Sequence, residues 1–211
     1  MRRAIGFAAF LFFSVLWVPF ASANLIGNGS FEDPVITGTF GYVPDDNLTG
    51  WSLSGAYPYL EIQRNGLYTG WSNPYGSQWA ELDGDKNNSV IYQSVHVTAG
   101  TPYHLEFNFS PRPGSNDGLL YWSVSGSGVG LAGNITAPYG AYLSHPVWSL
   151  VSLDFTPTSD GSIEVLFAEK GYPEGLGMLL DNVALNAVPI PTAAWMLGTG
   201  LLGLVLVRRR R

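Results

Sequence analysis

Between residues 101 and 110 apolar and polar side chains alternate: Tyr103, Leu105, Phe107 and Phe109 take one set of positions, and His104, Glu106, Asn108 and Ser110 the other. A period of two belongs to a strand with one face in a core and the other in water. Shorter stretches of the same character predict strands over 78–82, 89–97, 119–125, 148–156, 162–168 and 178–186. Turn chemistry separates them, at Asp83-Gly84, Ala99-Gly100, Asp160-Gly161 and Gly171-Tyr172-Pro173 and through the polar run 113–118. No long amphipathic helix reads out of residues 24–187, so the pattern predicts an all-β antiparallel sandwich of the jelly-roll type.

The two ends are patterned differently. Arg2 and Arg3 precede an apolar run over 4–20, and Ala21-Ser22-Ala23 is a small-x-small cleavage site, so residues 1–23 read as a signal peptide. Near the other end Val188, Pro189, Ile190 and Pro191 lead into an apolar run over 192–207 that stops at Arg208, Arg209, Arg210 and Arg211. Sixteen helical residues rise roughly 24 Å, just short of a hydrocarbon core of about 30 Å, and arginines can snorkel to close the gap. The positive-inside rule keeps those arginines cytoplasmic and puts the body of the protein outside. The expected organisation is a signal peptide (1–23), one exported domain (24–187) and a C-terminal sorting segment (188–211) with one transmembrane helix.

Charge changes the picture once the ends are set aside. The formal net charge of −6 includes six arginines from the terminal segments. Residues 24–187 carry only Arg64, Lys86, Arg112 and Lys170 against all sixteen acidic residues, a net of −12. Such a body is unsuited to nucleic acid, whose affinity comes from neutralised phosphates, and to anionic headgroups. Neutral glycans and divalent cations remain as partners. The chain has no cysteine, so an exported domain must hold together by packing or a bound metal.

The proline motif, the glycine-containing apolar run and the terminal arginines resemble the bacterial PEP-CTERM sorting signals, in their Val-Pro-Leu-Pro-Ala variant. That resemblance implies processing by an exosortase-like membrane protease and delivery to the cell surface or an exopolysaccharide matrix. The chain lacks the glutamate of the standard motif between Pro189 and Pro191. A second resemblance spans the body. Asn28-Gly29-Ser30-Phe31-Glu32, Gly50-Trp51, Gly76-Ser77-Gln78-Trp79-Ala80-Glu81-Leu82-Asp83-Gly84, Ile91-Tyr92-Gln93-Ser94-Val95 and Leu179-Leu180-Asp181-Asn182-Val183 are similar to galactose-binding-like jelly rolls. That group includes many carbohydrate-binding modules and a plant cell-wall family. It implies a structural Ca2+ between the first and last strands, with Glu32 and Asp181 as the matching carboxylates. Calcium takes six to eight oxygens, so carbonyls or water must complete the shell.

Aromatic residues make up 14% of the chain, and Tyr57, Tyr59, Tyr68, Trp71, Tyr75 and Trp79 crowd one stretch. An exposed ring can stack on the apolar face of a sugar while nearby amides and carboxylates hold the hydroxyls. Tyr59, Trp71 and Trp122 are the candidates for a polysaccharide surface, and Trp51, Trp79 and Trp148 read as core. The histidines lack metal-ligand spacing, and no Gly-x-Ser-x-Gly elbow is present. A glycosidase needs two carboxylates across a cleft; Glu61, Glu81 and Asp83 are the residues that could supply them. The resulting expectation is a non-enzymatic, membrane-anchored or protease-processed surface protein that binds carbohydrate. The alternatives are a purely structural matrix component or a glycoside-active enzyme.

Overall fold

The computed structural model describes residues 23–116, 118–136 and 143–189. Among them are eleven strands: β1 (Phe40–Pro44), β2 (Ser52–Ser54), β3 (Tyr59–Arg64), β4 (Gln78–Glu81), β5 (Val90–Val97), β6 (Tyr103–Pro111), β7 (Leu119–Gly126), β8 (Val129–Thr136), β9 (Ser149–Phe155), β10 (Gly161–Glu169) and β11 (Met178–Ala187). They form an antiparallel sandwich of two sheets, six strands in the order β1-β3-β4-β11-β6-β9 and five in the order β2-β5-β10-β7-β8. All seven strands expected from alternation are present within two residues at either end.

The alternation fixes which side chains meet between the sheets. Tyr103, Leu105 and Phe107 of β6 face Ile163, Val165 and Phe167 of β10 within one continuous core. Phe107 and Phe167 touch edge to face with ring centroids 4.9 Å apart, a geometry that aromatic quadrupoles favour. Trp51 wedges in from the loop before β2, stacked 5.5 Å from Phe31 and edge-on to Phe167, while its indole N–H donates to the Asn28 carbonyl. Its expected place in the core is confirmed.

The outer face of the six-stranded sheet is not simply wet. Asn108 and Ser110 of β6, polar by pattern, are buried, because the segment between β3 and β4 folds back over the sheet with Trp148. A small second cluster of Trp71, Trp79 and Leu179 lies there, joined by Leu67 and Trp148. β3 is buried on both faces: Leu60, Glu61, Ile62 and Gln63 are all covered, although Leu60 and Ile62 alternate with Glu61 and Gln63 as they would in a half-wet strand. β1 and β2 are short, and β8, with glycines at 130 and 133, has a weak pattern.

The chain ends of the domain meet. Leu25 donates its N–H to the Leu185 carbonyl (2.8 Å), Val183 donates to Gly29 (2.9 Å), and the Asn24 carboxamide oxygen accepts from Leu185 (2.9 Å) and Ile26 (3.0 Å). β11 makes room through a bulge between Asp181 and Ala184, with Asn182 at φ 51°. No cysteine is needed for this tie. The expected signal peptide (1–23) lies outside the described residues save for Ala23. So do Pro191, Arg208, Arg209, Arg210, Arg211 and the apolar run 192–207. Val188 is described, its N–H donating to the Pro102 carbonyl at 2.8 Å. Among the described residues no helix is long and apolar enough to cross a membrane.

Candidate functional site

Glu61 on β3 stands directly opposite Glu81 on β4, and Tyr42 on β1 stands opposite Glu61. Strand parity therefore puts Tyr42, Glu61 and Glu81 on one face, the outer face of the six-stranded sheet. Two carboxylates side by side, 4% and 0% exposed, need a counter-charge. Arg112, just past β6, provides it: one guanidinium nitrogen lies 3.2 Å from Glu81 Oε2, 3.8 Å from Glu61 Oε1 and 2.9 Å from the Gly175 carbonyl, to which it donates. The contact with Glu81 is an ion pair without hydrogen-bond alignment, so Glu81 Oε2 remains without a hydrogen bond. Burial, with the neighbouring Glu61 charge, raises the Glu81 carboxyl well above its usual range, and Arg112 opposes the shift only in part.

Carboxylates also fasten the loop before β11. Asp83 Oδ2 accepts the backbone N–H groups of Glu174, Gly175 and Leu176 at 2.7 to 3.3 Å. Glu81 Oε1 accepts that of Gly177 at 2.6 Å, and Glu169 Oε2 that of Met178 at 2.8 Å. Five successive amides thus end on three buried acids. Glu81 and Asp83, candidates for a glycosidase pair by sequence, are committed to this loop and sealed beneath it. A β-carbon at Gly177 would fall 2.6 Å from Asp83 Cβ, so the loop passes at a distance only glycine allows.

Above this floor a cleft of about 270 Å3 opens, lined by Phe40, Tyr42, Glu61, Leu67, Tyr68, Asp85, Lys86, Arg112, Glu174 and Gly175. Its aromatic rim is exposed: Phe40 is 48%, Tyr42 42% and Tyr68 54% accessible. Phe40 and Tyr42 meet edge to face at 6.0 Å, and Tyr68 packs at 4.8 Å on Trp71. The Tyr42 hydroxyl bonds to Glu61, and burial together with the Glu61 charge pushes its pKa up to about 12. Gln63 donates to Glu61 Oε1 (2.8 Å) and accepts from the Trp79 indole (3.0 Å), fixing the carboxylate from behind. A larger opening of about 530 Å3 shares Tyr42 with the cleft and is lined by loop residues such as Asp33, Pro34, Asp46 and Thr49, and the charged residues in its lining are exposed.

The sequence model of a family described as protein of unknown function, DUF642, matches residues 24–186. The chain belongs to this family. No curated protein matches this DUF642 chain. Among solved structures, the arabinose-bound MgGH51 α-L-arabinofuranosidase is similar with a TM-score of 0.50 and 15% identity, over 78% of this chain and 26% of that one. The DUF642 chain therefore spans about a quarter of that enzyme's length, and the likeness is one of fold. The CBM22-1 xylan-binding domain of Paenibacillus barcinonensis Xyn10C aligns with a TM-score of 0.45 and 13% identity, over 81% and 97% of the two chains. TmCBM61, solved with β-1,4-galactotriose, aligns with a TM-score of 0.42 and 14% identity, over 79% and 100%.

The residues expected at a sugar surface are not together in the DUF642 domain. Tyr59 is 39% exposed and precedes Glu61 by two positions on the same strand face, with Tyr57 edge-on at 5.7 Å. Trp71 is 6% exposed, and its indole donates to the Ser144 carbonyl at 3.0 Å. That ring supports Tyr68 rather than offering a platform. Trp122 belongs to the other sheet and packs inward on Phe107 at 6.2 Å and over Gly133, whose missing side chain leaves the space. Phe40, Tyr42 and Arg112 are not among the residues expected from sequence; the signal that could have found the two rings is their spacing of two, which puts both on one face of β1.

Glu32 and Asp181 occupy a second polar centre. Glu32 Oε1 accepts the N–H groups of Ser77 (2.5 Å) and Gln78 (2.9 Å), and Gly76 leaves room for that carboxylate. Asp181 is fully buried, with Asn73 donating to Oδ2 and the Asn182 N–H to Oδ1 at 2.6 Å. Burial and then the Glu32 charge push its pKa up to about 7 against those two hydrogen bonds. Among the described residues, no third His, Cys, Asp or Glu joins them in a metal-sized group. A cation here would depend on amide and backbone oxygens for the rest of its shell.

Proposed function

We propose that this DUF642 domain is a non-catalytic carbohydrate-binding module whose saccharide lies in the cleft above Glu61 and Arg112. The observation that carries the reading is the pairing of three exposed rings, Phe40, Tyr42 and Tyr68, with a polar floor fixed from behind by Gln63 and Trp79. The rings supply stacking area with little rotamer entropy to lose, and the rim groups Asp85, Lys86 and Glu174 supply hydroxyl partners. The commitment of Glu81 and Asp83 to backbone amides supports binding without turnover. Titration of the full chain in mild detergent with neutral oligosaccharides, followed by calorimetry, tests this. Tyr68→Ala should weaken binding about tenfold, the scale of one aromatic contact, with an unchanged melting temperature. Binding that is indifferent to Tyr68 and Phe40 would move the site elsewhere.

Two further parts of the reading rest on the sequence. The 188–211 segment acts as a sorting signal and anchor, holding the domain on the outer side of a membrane or passing it to an exosortase-like protease. Ca2+ bound between Glu32 and Asp181 offsets the repulsion of two close carboxylates; the buried Asp181, which has no cationic partner among the described residues, supports that assignment.

A further inference from the structure

Resting on the saccharide reading of the cleft, we propose that its ligand is an amino-sugar polymer carrying free ammonium groups. Residues 24–187 hold four cationic side chains, and their placement decides the matter. Arg112, 9% exposed, is consumed by Glu81, Glu61 and the Gly175 carbonyl. Arg64 is half-buried and donates to the Ile36 carbonyl at 3.2 Å. Lys170 lies in a different opening, with Tyr172 and Thr136. In the cleft that leaves Lys86 as the exposed cation, beside the carboxylates of Asp85 and Glu174 on the rim and Glu61 on the floor.

A uronate or sulfated chain would bring anions to a cleft whose guanidinium is already spent, on a domain of net charge −12; the field opposes approach before any contact forms. An ammonium group meets the opposite situation. The rim carboxylates attract it, and the faces of Phe40, Tyr42 and Tyr68 bind cations through their ring quadrupoles. Tyr42 stays a neutral phenol at any physiological pH, its hydroxyl held by Glu61 and its exposed ring left for the ligand. Acetylating the amine removes both attractions and leaves only stacking and hydroxyl contacts, which makes the degree of acetylation the property this cleft reads.

The full chain in mild detergent is titrated with glucosamine tetramer, its fully N-acetylated counterpart, a neutral β-glucan tetramer and a galacturonate tetramer. The expected order is glucosamine tetramer about tenfold tighter than the acetylated and neutral forms, with galacturonate weakest. The preference should collapse near about 0.5 M salt, where screening shortens to a few ångströms. The double variant Asp85→Asn, Glu174→Gln should lose the preference. It keeps the fold, because asparagine suits the left-handed backbone at residue 85 (φ 52°) and glutamine keeps the oxygen that accepts the Asn116 N–H. Equal or tighter binding of the neutral tetramer overturns the amino-sugar assignment and leaves the carbohydrate site standing; no binding of any tetramer removes both. If Tyr68→Ala and the double variant bind glucosamine tetramer like the parent, the attraction is diffuse and the proposal fails.

Discussion

Asp181 is buried without a cationic partner among the described residues, and its ionisation constrains this domain. Its folded pKa of about 7 lies above the unfolded value of about 3.9, so the folded protein holds a proton that the unfolded chain releases. The associated stability is fully present below about pH 4 and is lost as pH rises through about 7. Glu81, Asp83 and Glu169, all raised mainly by burial, act with the same sign. Asp181→Asn should therefore melt less steeply with pH than the parent, the difference amounting to at most roughly 4 kcal/mol between pH 4 and pH 8. Calcium at millimolar level should raise the parent's melting temperature at pH 8 and leave that of Asp181→Asn unchanged, by mass action on the folded state alone. A parent indifferent to calcium and chelator would remove Glu32 and Asp181 as ligands. The sequence exposed these two positions through short motifs at either end of the domain. It gave no sign that Asn73, 108 residues before Asp181, would cap the carboxylate, because that contact depends on a loop folding across the sheet.

At the level of elements, the loop between β10 and β11 matters most, since it forms one wall of the cleft and hangs from carboxylates. The four loop amides of residues 174–177, held by Asp83 and Glu81, should be among the slowest to exchange outside the strands. Gly177→Ala forces the new methyl group against Asp83 Cβ and its backbone nitrogen at 2.6 and 2.9 Å. A destabilisation of about 1 to 3 kcal/mol is expected, and hydrogen exchange at residues 174–178 should accelerate more than in β5 or β6. Equal rates in parent and variant would show that the loop is held by other contacts. Where one sheet face meets core and the other meets solvent, as along β5, β6 and β10, the strands are legible from alternation alone. β3 is the instructive exception. Leu60 and Ile62 alternate with Glu61 and Gln63 over only four residues, and those outer residues are polar yet buried because they serve Arg112, Tyr42 and Trp79, so what reads as a wet face is the floor of the site. Trp71, in an aromatic-rich loop, and Trp122, in an expected strand, illustrate the converse: both are candidates for a sugar surface by sequence, but exposure is decided by what folds over them.

Across the whole molecule, charge and topology separate the domain from its ends. All the acidic residues lie between 24 and 187, and six of ten basic ones lie in the terminal segments. If the tail is an anchor, deleting residues 188–211 should send the protein to the culture medium with its saccharide binding intact, as immunoblots of cell and medium fractions would report. Retention on cells without the tail would transfer that role to the domain itself. The strand that leads into the tail, β11, runs between β4 and β6 rather than along an edge, and the first residues of the domain are hydrogen-bonded to it as well. A pull on Val188 is therefore shared at once by two neighbouring strands and the opposite terminus. The fold resists such a load by breaking many bonds together, so tension applied along β11 spreads into the body of the sheet instead of peeling off one strand.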